Sequence, residues 1–408
     1  MTRTDRLNLV LFCHPEFWAG QSMVRFARMM KSAYEARGHQ VRVLSPRNRC
    51  FKRLSRIGLS KWGAYVDEYL LFPRDVRKAL KEIPSNALFV FCDQALGPWV
   101  PLVAHRPHVV HVHDLLALRS ALGNVPENPV FITGRIYQHY IRRGFRCARD
   151  FISVSNKTRE DLHRFGQVTA RTSEVVHNGL AYPYSRLKAD VAQQVLRDAG
   201  LPSEARGMLL YVGGGQWYKN LHGIAALYAH YAALSPEPLP LWIIGRPSGS
   251  RSMKDTFGRI RPPGRVQLFE SVDDRTLQAI YSLARALLFP SLEEGFGWPL
   301  IEAQACGCPV ITTDAEPMNE VAGRTAYYLP RLLPSDDIET WADQGAKLLL
   351  NLLRKSDAER IELADRGIAW AKTFDADKAI DQYLAIYRQV LARQSADAAT
   401  ETEFAGLR

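Results

Sequence analysis

Residues 291–310 read SLEEGFGWPLIEAQACGCPV, and this stretch decides the fold of the second half of the chain. An apolar run at 286–289 precedes it, and another begins at its end. Gly295 and Gly297 permit backbone angles that other residues rarely adopt. Pro299 suits the first turn of a helix, because its missing N–H leaves no helical bond unmade. The stretch therefore predicts a strand, a tight loop, a helix and a second strand.

Two carboxylates, Glu294 and Glu302, lie eight positions apart around the predicted loop. The unpaired N–H groups and the dipole at the helix start suit an anion such as a diphosphate. We expect Glu302 in the first helical turn and Glu294 in the loop, one reaching a ribose and the other the hydroxyls of a sugar. A glutamate at a helix start is also an ordinary partner of the helix dipole. The glycines, the proline and the strand–helix–strand setting favour the ligand site.

This stretch resembles the E-x7-E motif of the family 4 (group 1) retaining glycosyltransferases, which have the GT-B fold. The resemblance implies an α/β protein with two Rossmann-like domains, whose parallel sheets face across a cleft, and a C-terminal helix that crosses back to the N-terminal domain. It also implies that Glu294 positions the donor sugar and that Glu302 binds the ribose. The other implied donor contacts in this motif are Gly295, Phe296, Gly297, Pro299 and Leu300.

Short apolar runs alternate with helical patterns along the chain, which predicts two doubly wound parallel sheets. The predicted strands lie at 7–13, 41–44, 87–92, 109–112, 150–155, 174–177, 209–212, 241–244, 266–269, 286–289 and 310–313. We predict an N-terminal acceptor-binding domain at 1–185, with a helix at 372–395 packing back on it, and a nucleotide-sugar-binding domain at 200–370.

A glycine-rich loop follows the predicted strand at 209–212 and leads to Lys219. Glycines such as Gly214 and Gly215 let backbone N–H groups approach phosphate, and a lysine adds a compact positive charge. The loop resembles the one whose lysine binds the donor diphosphate in family 4 enzymes. Many members carry an arginine where this chain has Gly214. Arg246 is a candidate for that second charge, or an ordinary surface arginine, and the backbone near Val272 is expected to contact the donor base.

In the first half, His113 and Asp114 follow the predicted strand at 109–112 and resemble a histidine–aspartate motif of the family. We expect His113 to bind a sugar hydroxyl and Asp114 to orient or polarise it. His111, on the same face of the strand, is the alternative. Gly20 follows the first strand, at the position of the family's N-terminal glycine loop, where this chain has one glycine instead of the usual two.

The positive charge of the chain lies in its first half. Of 53 Lys and Arg residues, 30 fall within residues 1–190, against 15 of the 42 Asp and Glu residues. No acid lies between Glu35 and Asp67, whereas eight basic residues and several apolar ones do. Such a basic amphipathic segment, at 37–61, suits an anionic membrane surface or an anionic acceptor. A solvated basic helix is the alternative, and no motif indicates nucleic acid. The six cysteines lack the spacing of a metal site or a disulfide framework.

The resemblance implies a hexosyltransferase with a nucleotide-sugar as substrate and no cofactor, and we expect it to be metal-independent, since no D-x-D motif follows a strand. We expect the donor to be a UDP- or GDP-sugar, and the acceptor to be a lipid-linked or polysaccharide-precursor hydroxyl. The alternatives are an epimerase or phosphorylase-like enzyme that uses the same fold, and a non-catalytic carbohydrate binder. Reduced cysteines and the basic segment predict a cytoplasmic protein, peripheral on the inner face of the plasma membrane.

Overall fold

The computed structural model describes residues 6–17, 21–245, 256–258 and 260–405, with side chains for all of these except 21–22 and 397–405. The chain divides into two compact units. The first comprises residues 1–181 and 376–408, and the second comprises residues 182–375.

The first unit contains a six-stranded parallel sheet. Its strands are β1 (Asn8–Phe12), β2 (Gln40–Leu44), β3 (Leu88–Phe91), β4 (His108–Val112), β5 (Asp150–Ser153) and β6 (Thr172–Val175), in the order β2-β1-β3-β4-β5-β6. All four residues of β3, and all five of β4, are buried. Burial along the whole length of a strand is typical of parallel sheets that are covered on both faces.

Seven α-helices connect these strands. They are α1 (Gln21–Ala36), α2 (Cys50–Leu54), α3 (Ser60–Val66), α4 (Phe72–Ala79), α5 (Leu116–Ala121), α6 (Ile132–Phe145) and α7 (Asn156–Asp161). Short 3-10 segments occupy Ser55–Ile57 and Gln94–Val103, and π-helical turns occupy Asp67–Leu71 and Leu162–Gly166.

The second unit repeats the architecture. Its strands are β7 (Met208–Val212), β8 (Leu241–Ile244), β9 (Val266–Phe269), β10 (Ala284–Phe289), β11 (Val310–Thr313) and β12 (Tyr327–Leu329), all parallel, in the order β12-β11-β10-β7-β8-β9. Its α-helices whose full bounds fall within the described residues are α8 (Ala189–Asp198), α9 (Leu221–Leu234), α10 (Asp274–Leu283), α11 (Trp298–Ala305), α12 (Met318–Ala322), α13 (Ile338–Leu353) and α14 (Asp357–Ala371), with 3-10 turns at Trp217–Lys219 and Gly323–Thr325.

The last helix, α15 (Ala376–Ala405), belongs to the first unit. The Tyr387 hydroxyl on this helix lies 3.0 Å from the Tyr34 hydroxyl of α1 and 2.7 Å from Nε2 of His111 on β4. At the edge of this contact, Arg37 forms ion pairs with Asp377 and Asp381. The predicted GT-B architecture, with two parallel sheets and a C-terminal helix that returns to the N-terminal unit, is confirmed.

Each sheet has one point where successive connections run to opposite sides. In the first sheet, β1 lies between β2 and β3, and in the second, β7 lies between β8 and β10. Ligands of doubly wound sheets bind outside the carboxyl ends of the strands at such a switch point. We therefore expect ligand contacts from the residues that follow β1 and β3 in the first sheet, and from those that follow β7 and β10 in the second.

Candidate functional site

The switch point of the second sheet is bridged by an ion pair. Lys219 closes the turn that follows β7, and Glu294 lies in the loop that follows β10. The Nζ atom of Lys219 lies 2.6 Å from Oε1 of Glu294, and the two side chains are only 12% and 9% exposed. The structure therefore brings together the two residues that the sequence assigned to the donor diphosphate and the donor sugar.

Asn220, which the sequence analysis did not single out, fastens these two loops together. It has a left-handed backbone (φ 54°) and caps α9 by accepting a hydrogen bond from the Gly223 N–H. Its side-chain amide also donates to the Pro290 carbonyl at 3.0 Å. Because one side chain holds both the start of α9 and the end of β10, the loop that carries Lys219 is fixed against the loop that carries Glu294.

The Glu294 loop is held from its other side as well. The Thr313 hydroxyl donates to the Ser291 carbonyl at 2.7 Å, and Nε of Arg331 donates to the Leu292 carbonyl at 3.0 Å. Arg331 also lies 3.6 Å from Glu293. These bonds fix the loop backbone through contacts within the protein, and a fixed backbone lowers the cost of binding a ligand.

Helix α11 begins directly after this loop. Gly297 caps its start with a positive φ of 98°, a conformation that favours glycine. Pro299 occupies its first turn, as predicted, and the Leu300 N–H bonds back to the Gly297 carbonyl at 3.0 Å. Phe296 is buried and packs edge-on against Phe374, with ring centroids 6.0 Å apart. The positive end of the helix dipole therefore lies beside the residue stretch Glu294–Gly297.

Glu302 lies in the second turn of α11, so the expectation that it falls in the first turn is wrong. The helix starts at Trp298, one residue before the proline, which moves Glu302 to its fifth position. Its carboxylate is buried and accepts a hydrogen bond from the Tyr281 hydroxyl at 3.0 Å. Burial and the charge of Glu302 raise the pKa of Tyr281 well above its usual value, and raise that of Cys306 to about 12.

Gly214 and Gly215 lie in the loop after β7, as expected, and the buried Tyr211 hydroxyl donates to the Gly214 carbonyl at 2.8 Å. Neighbouring Gly213 lies so close to Gly245 that a Cβ atom at Gly245 would sit 1.9 Å from the Gly213 carbonyl oxygen. The loops after β7 and β8 are thus in backbone contact.

Val272 lies in the loop after β9, next to the start of α10. Its neighbour Asp273 caps that helix by accepting a hydrogen bond from the Thr276 N–H at 2.7 Å. Arg246, the candidate for a second phosphate-binding charge, lies outside the described residues.

In the first unit, His113 is buried at the end of β4. Its Nε2 lies 3.0 Å from the Cys92 carbonyl, and its backbone N–H donates to the side chain of Gln94. Because a carbonyl only accepts hydrogen bonds, Nε2 carries the proton and Nδ1 keeps its lone pair. Burial lowers the pKa of His113, so the imidazole is neutral at pH 7. A neutral Nδ1 can accept a hydrogen bond from a hydroxyl.

The neighbours of His113 have other partners. Asp114 accepts a hydrogen bond from the Leu116 N–H at 3.1 Å in the turn that leads into α5, and the His113 imidazole is hydrogen-bonded to the carbonyl of Cys92. His111, the alternative to His113, is fully buried and hydrogen-bonds with Tyr387 on α15. We therefore assign His111 to the packing of that helix. Gly20 lies outside the described residues.

The structure adds two residues that the sequence analysis missed. His14 follows β1, Asp93 follows β3, and Nε2 of His14 lies 2.8 Å from Oδ2 of Asp93. The charge of Asp93 also acts on His113, so the three side chains form one cluster. The signal that could have found them is a polar residue one or two positions after each of two predicted strands.

Two family models match the chain: "Glycosyltransferase Family 4" over residues 23–181 and "Glycosyl transferases group 1" over residues 193–364. Among the curated relatives is O-antigen chain mannosyltransferase B of Escherichia coli, 28% identical over 45% of this chain and 46% of that protein. Another is O-antigen chain mannosyltransferase RfbU of Salmonella typhimurium, 24% identical over 59% of this chain and 60% of that protein. The chain thus spans about half of the length of these relatives.

Among solved structures, Alr3699/HepE of Anabaena, in complex with UDP and glucose, is 16% identical. It matches with a TM-score of 0.64 over 95% of this chain and 100% of that one, a likeness that concerns the fold. The two family models together cover most of both units, and the chain belongs to the group 1, family 4 glycosyltransferases.

Proposed function

We propose that this chain moves a hexose from a UDP- or GDP-sugar to a hydroxyl of a lipid-linked or polysaccharide-precursor acceptor, with retention of the anomeric configuration. The observation that carries the proposal is the buried Lys219–Glu294 pair, which bridges the switch point of the second sheet beside the start of α11. A buried ion pair is costly to desolvate and is weak evidence for stability, so a ligand role explains it better.

In this proposal the second unit binds the donor. Lys219 and the N-terminus of α11 offset the charge of the diphosphate, both as it binds and as it leaves. Glu294, freed from Lys219 by the diphosphate, accepts hydrogen bonds from the hydroxyls of the hexose. Glu302, which is held by its hydrogen bond from Tyr281, accepts hydrogen bonds from the ribose hydroxyls. The structural relative in complex with UDP and glucose, and the mannosyltransferases among the curated relatives, support a nucleoside-diphosphate hexose.

The first unit binds the acceptor, with His113 accepting a hydrogen bond from a sugar hydroxyl and Asp114 fixing the adjoining turn. In the transfer step, the acceptor oxygen forms a bond to the anomeric carbon, and the bond from that carbon to the diphosphate breaks. The diphosphate leaves with the electron pair and takes up the hydroxyl proton. No metal or cofactor is part of the proposal, because Lys219 and the helix N-terminus supply positive charge where the diphosphate is expected.

Membrane contact is a further part of the proposal. Among the helices in the described part of the chain, none combines the length and apolar character that crossing a bilayer requires. In segment 37–61, Arg42 and Arg49 form ion pairs with Glu82 and Asp75, and Gly58 breaks the predicted helix with a φ of 75°. Besides Arg47, which lines a cavity at the carboxyl ends of β1 and β2, four basic side chains of this region make no ion pair with any described residue: Lys52, Arg53, Arg56 and Lys61. These four are the ones that can meet anionic lipid.

Apolar side chains surround this basic group. Trp62 is 65% exposed, and its ring centroid lies 6.1 Å from that of Tyr65. Tyr65 and Tyr69 pack in turn on Tyr137 of α6. Helix α6 exposes a further apolar stripe, and the stretch 128–149 that contains it has five arginines and no acid. The stripe consists of Ile132, Ile136 and Tyr140, preceded by Phe131, which is 87% exposed. Apolar anchors beside basic side chains are the composition of an interfacial membrane contact.

The experiment incubates the full chain with UDP-glucose, UDP-galactose, UDP-N-acetylglucosamine and GDP-mannose, with and without octyl glycosides. Mass spectrometry follows the products, and proton NMR reads their anomeric coupling. We expect one donor to be consumed and an α-linked octyl disaccharide to form. Conversion of a donor into its epimer, phosphate-dependent release of a sugar 1-phosphate, or binding without turnover would each favour one of the rival functions over transfer.

A further inference from the structure

In both sheets, a basic side chain and an acidic side chain pair across the switch point. In the second unit, a basic residue after β7 pairs with an acid after β10 across the switch point. In the first unit, His14 after β1 pairs with Asp93 after β3, again across the switch point. Crevices at these points bind ligands. The pair in the second unit belongs to the donor site already proposed, and the pair in the first unit has no assigned role.

The His14–Asp93 pair is built as a rigid unit. Asp93 is buried, and its other oxygen accepts a hydrogen bond from the Ala95 N–H at 2.9 Å, which begins the segment Gln94–Val103. On the histidine side, the Ser45 hydroxyl donates to the backbone carbonyl of His14 at 3.0 Å. The pair is thus fixed by the loops that follow β1, β2 and β3.

The chemistry of the pair leaves one nitrogen for a ligand. A carboxylate only accepts hydrogen bonds, so Nε2 of His14 donates to Asp93 and Nδ1 is the remaining ring nitrogen. His14 lines a cavity of about 720 Å³ at the carboxyl ends of β1 and β2, together with Ser45, Asn48 and Arg47. The lining also includes apolar side chains, among them Val24 and Ala27. A space of this size, lined by both apolar and polar groups, can hold a hexose ring with its hydroxyls.

We propose that this cavity holds the acceptor sugar, and that Nδ1 of His14 accepts a hydrogen bond from the attacking hydroxyl while Asp93 holds the imidazole in place. The inference rests on the proposed transferase function and names its acceptor site. The hydroxyl proton still passes to the leaving diphosphate, so the role of His14 is to orient the hydroxyl. Orientation of this kind is a large part of the rate gain when two substrates meet.

A pH dependence follows. Burial opposes the charged form of His14, but the hydrogen bond to Asp93 and the charges of Asp93 and Glu68 outweigh it and raise the pKa of His14. The other charged or titratable groups around it are His113, and Glu16, Arg28, Lys31 and Arg47 on the cavity wall. Once protonated, Nδ1 donates and no longer accepts, so transfer should fall as the pH drops through the pKa of His14. Replacing Asp93 with asparagine keeps an acceptor for Nε2 but removes the charge, so the acidic limb should move to lower pH.

The test measures transfer to octyl glycosides between pH 5 and 9 for the wild type, His14→Ala, Asp93→Asn and a control, His105→Ala, whose histidine is exposed and lies outside the cavity. We expect His14→Ala to lower kcat/KM for the acceptor by at least tenfold and to remove the acidic limb, with the affinity for the nucleoside diphosphate unchanged. We expect Asp93→Asn to shift the limb to lower pH, and His105→Ala to behave as the wild type.

Two results would overturn the inference separately from the proposed function. The first is an active wild type together with an Asp93→Asn variant that has the same acidic limb. The second is an active wild type together with a His14→Ala variant that has the same kinetics for the acceptor. Either result would support the transferase function but show that His14 is not part of its acceptor site. A folded wild type that transfers to none of the octyl glycosides would count against the proposed function, and the inference would fall with it. Circular dichroism of each variant shows whether it has kept the fold.

Discussion

Nζ of Lys219 lies 2.6 Å from Oε1 of Glu294 at the switch point of the second sheet, although the two residues are 75 positions apart in the chain. Nζ of Lys219 also lies 4.8 Å from the centre of the Phe289 ring, so the cation is enclosed by an aromatic face and a carboxylate. In this ion pair each charge neutralises the other. A diphosphate offers Lys219 a second anion, and this exchange of partners is the basis of the first prediction.

Replacing Lys219 with methionine should weaken the binding of UDP or GDP by about 10- to 100-fold, because a charge-assisted hydrogen bond contributes roughly 1.5–3 kcal/mol. Binding of the corresponding nucleoside, which has no diphosphate, should be unchanged. Titration calorimetry with both ligands measures the difference. The single variant leaves the Glu294 carboxylate buried without its partner, which is itself unfavourable. The double variant Lys219→Met with Glu294→Gln removes that charge and serves as the control. Equal losses for nucleoside and diphosphate would contradict the assignment of Lys219.

The Glu302→Gln variant should lose affinity for UDP or GDP but not for the 2′,3′-dideoxy form of the same nucleotide. The carboxylate accepts hydrogen bonds from both ribose hydroxyls in our proposal, and the dideoxy ligand offers neither. Calorimetry on the wild type and the variant, each with the ribose and the dideoxy nucleotide, gives a complete thermodynamic cycle. Its coupling energy measures the contact between Glu302 and the ribose hydroxyls. Glu339→Gln, a surface substitution at the start of α13, is the control. A coupling near zero would mean that Glu302 only supports Tyr281.

Removing the four unpaired basic side chains near Trp62 should lower binding to vesicles that contain anionic lipid, since each contributes about 1 kcal/mol near such a surface. The variant changes Lys52, Arg53, Arg56 and Lys61 to glutamine. A control with equal loss of charge changes four exposed residues of the second unit, Arg324, Lys347, Arg366 and Lys372. Co-sedimentation with phosphatidylglycerol vesicles compares the two variants. If the first variant binds the vesicles as well as the wild type does, this surface is not the membrane contact.

The first unit offers a test of packing within α6. Gly144 lies against the segment Gln94–Val103, where an added Cβ would meet the Gly97 carbonyl oxygen at 2.1 Å. Gly144→Ala should therefore destabilise the protein by about 1–3 kcal/mol, as overpacked cores do. In the same helix, a Cβ at Gly134 would meet only the movable end of the Val130 side chain, so Gly134→Ala should be neutral or stabilising by up to about 1 kcal/mol. Urea unfolding of both variants measures the contrast, and similar effects would contradict the packing described here.

The sequence predicted most of the architecture because parallel strands are short apolar runs that need no partner to be recognised. Strands β8, β9 and β11 begin and end where the pattern predicted. Strand β12 escaped notice because it has three residues, two of them tyrosines. The helix predicted at 372–395 corresponds to α15, which begins at Ala376.

The candidate site was less accessible to sequence reasoning. Spacing located Glu294 and Lys219 but gave no sign that they pair, since the pairing depends on the order of strands in the sheet. The same is true of His14 and Asp93, which are 79 residues apart and meet only because β1 and β3 are neighbours. Glu302 lies in the second turn of α11 instead of the first, because the helix begins at Trp298, one residue before the proline. Local patterns give the elements, and the strand order decides which side chains meet.

The most direct test of the central claim is the transfer rate of Glu294→Gln, measured beside its affinity for UDP or GDP. Glutamine keeps the shape of the side chain but removes the charge that pairs with Lys219 and accepts from the sugar. We predict that transfer falls by at least about 100-fold, a typical loss for one group that stabilises a transition state. We expect nucleotide affinity to change by less than about tenfold, and circular dichroism to show that the variant keeps its fold. Turnover at the wild-type rate would contradict the account, because Glu294 would then lie outside the reacting site.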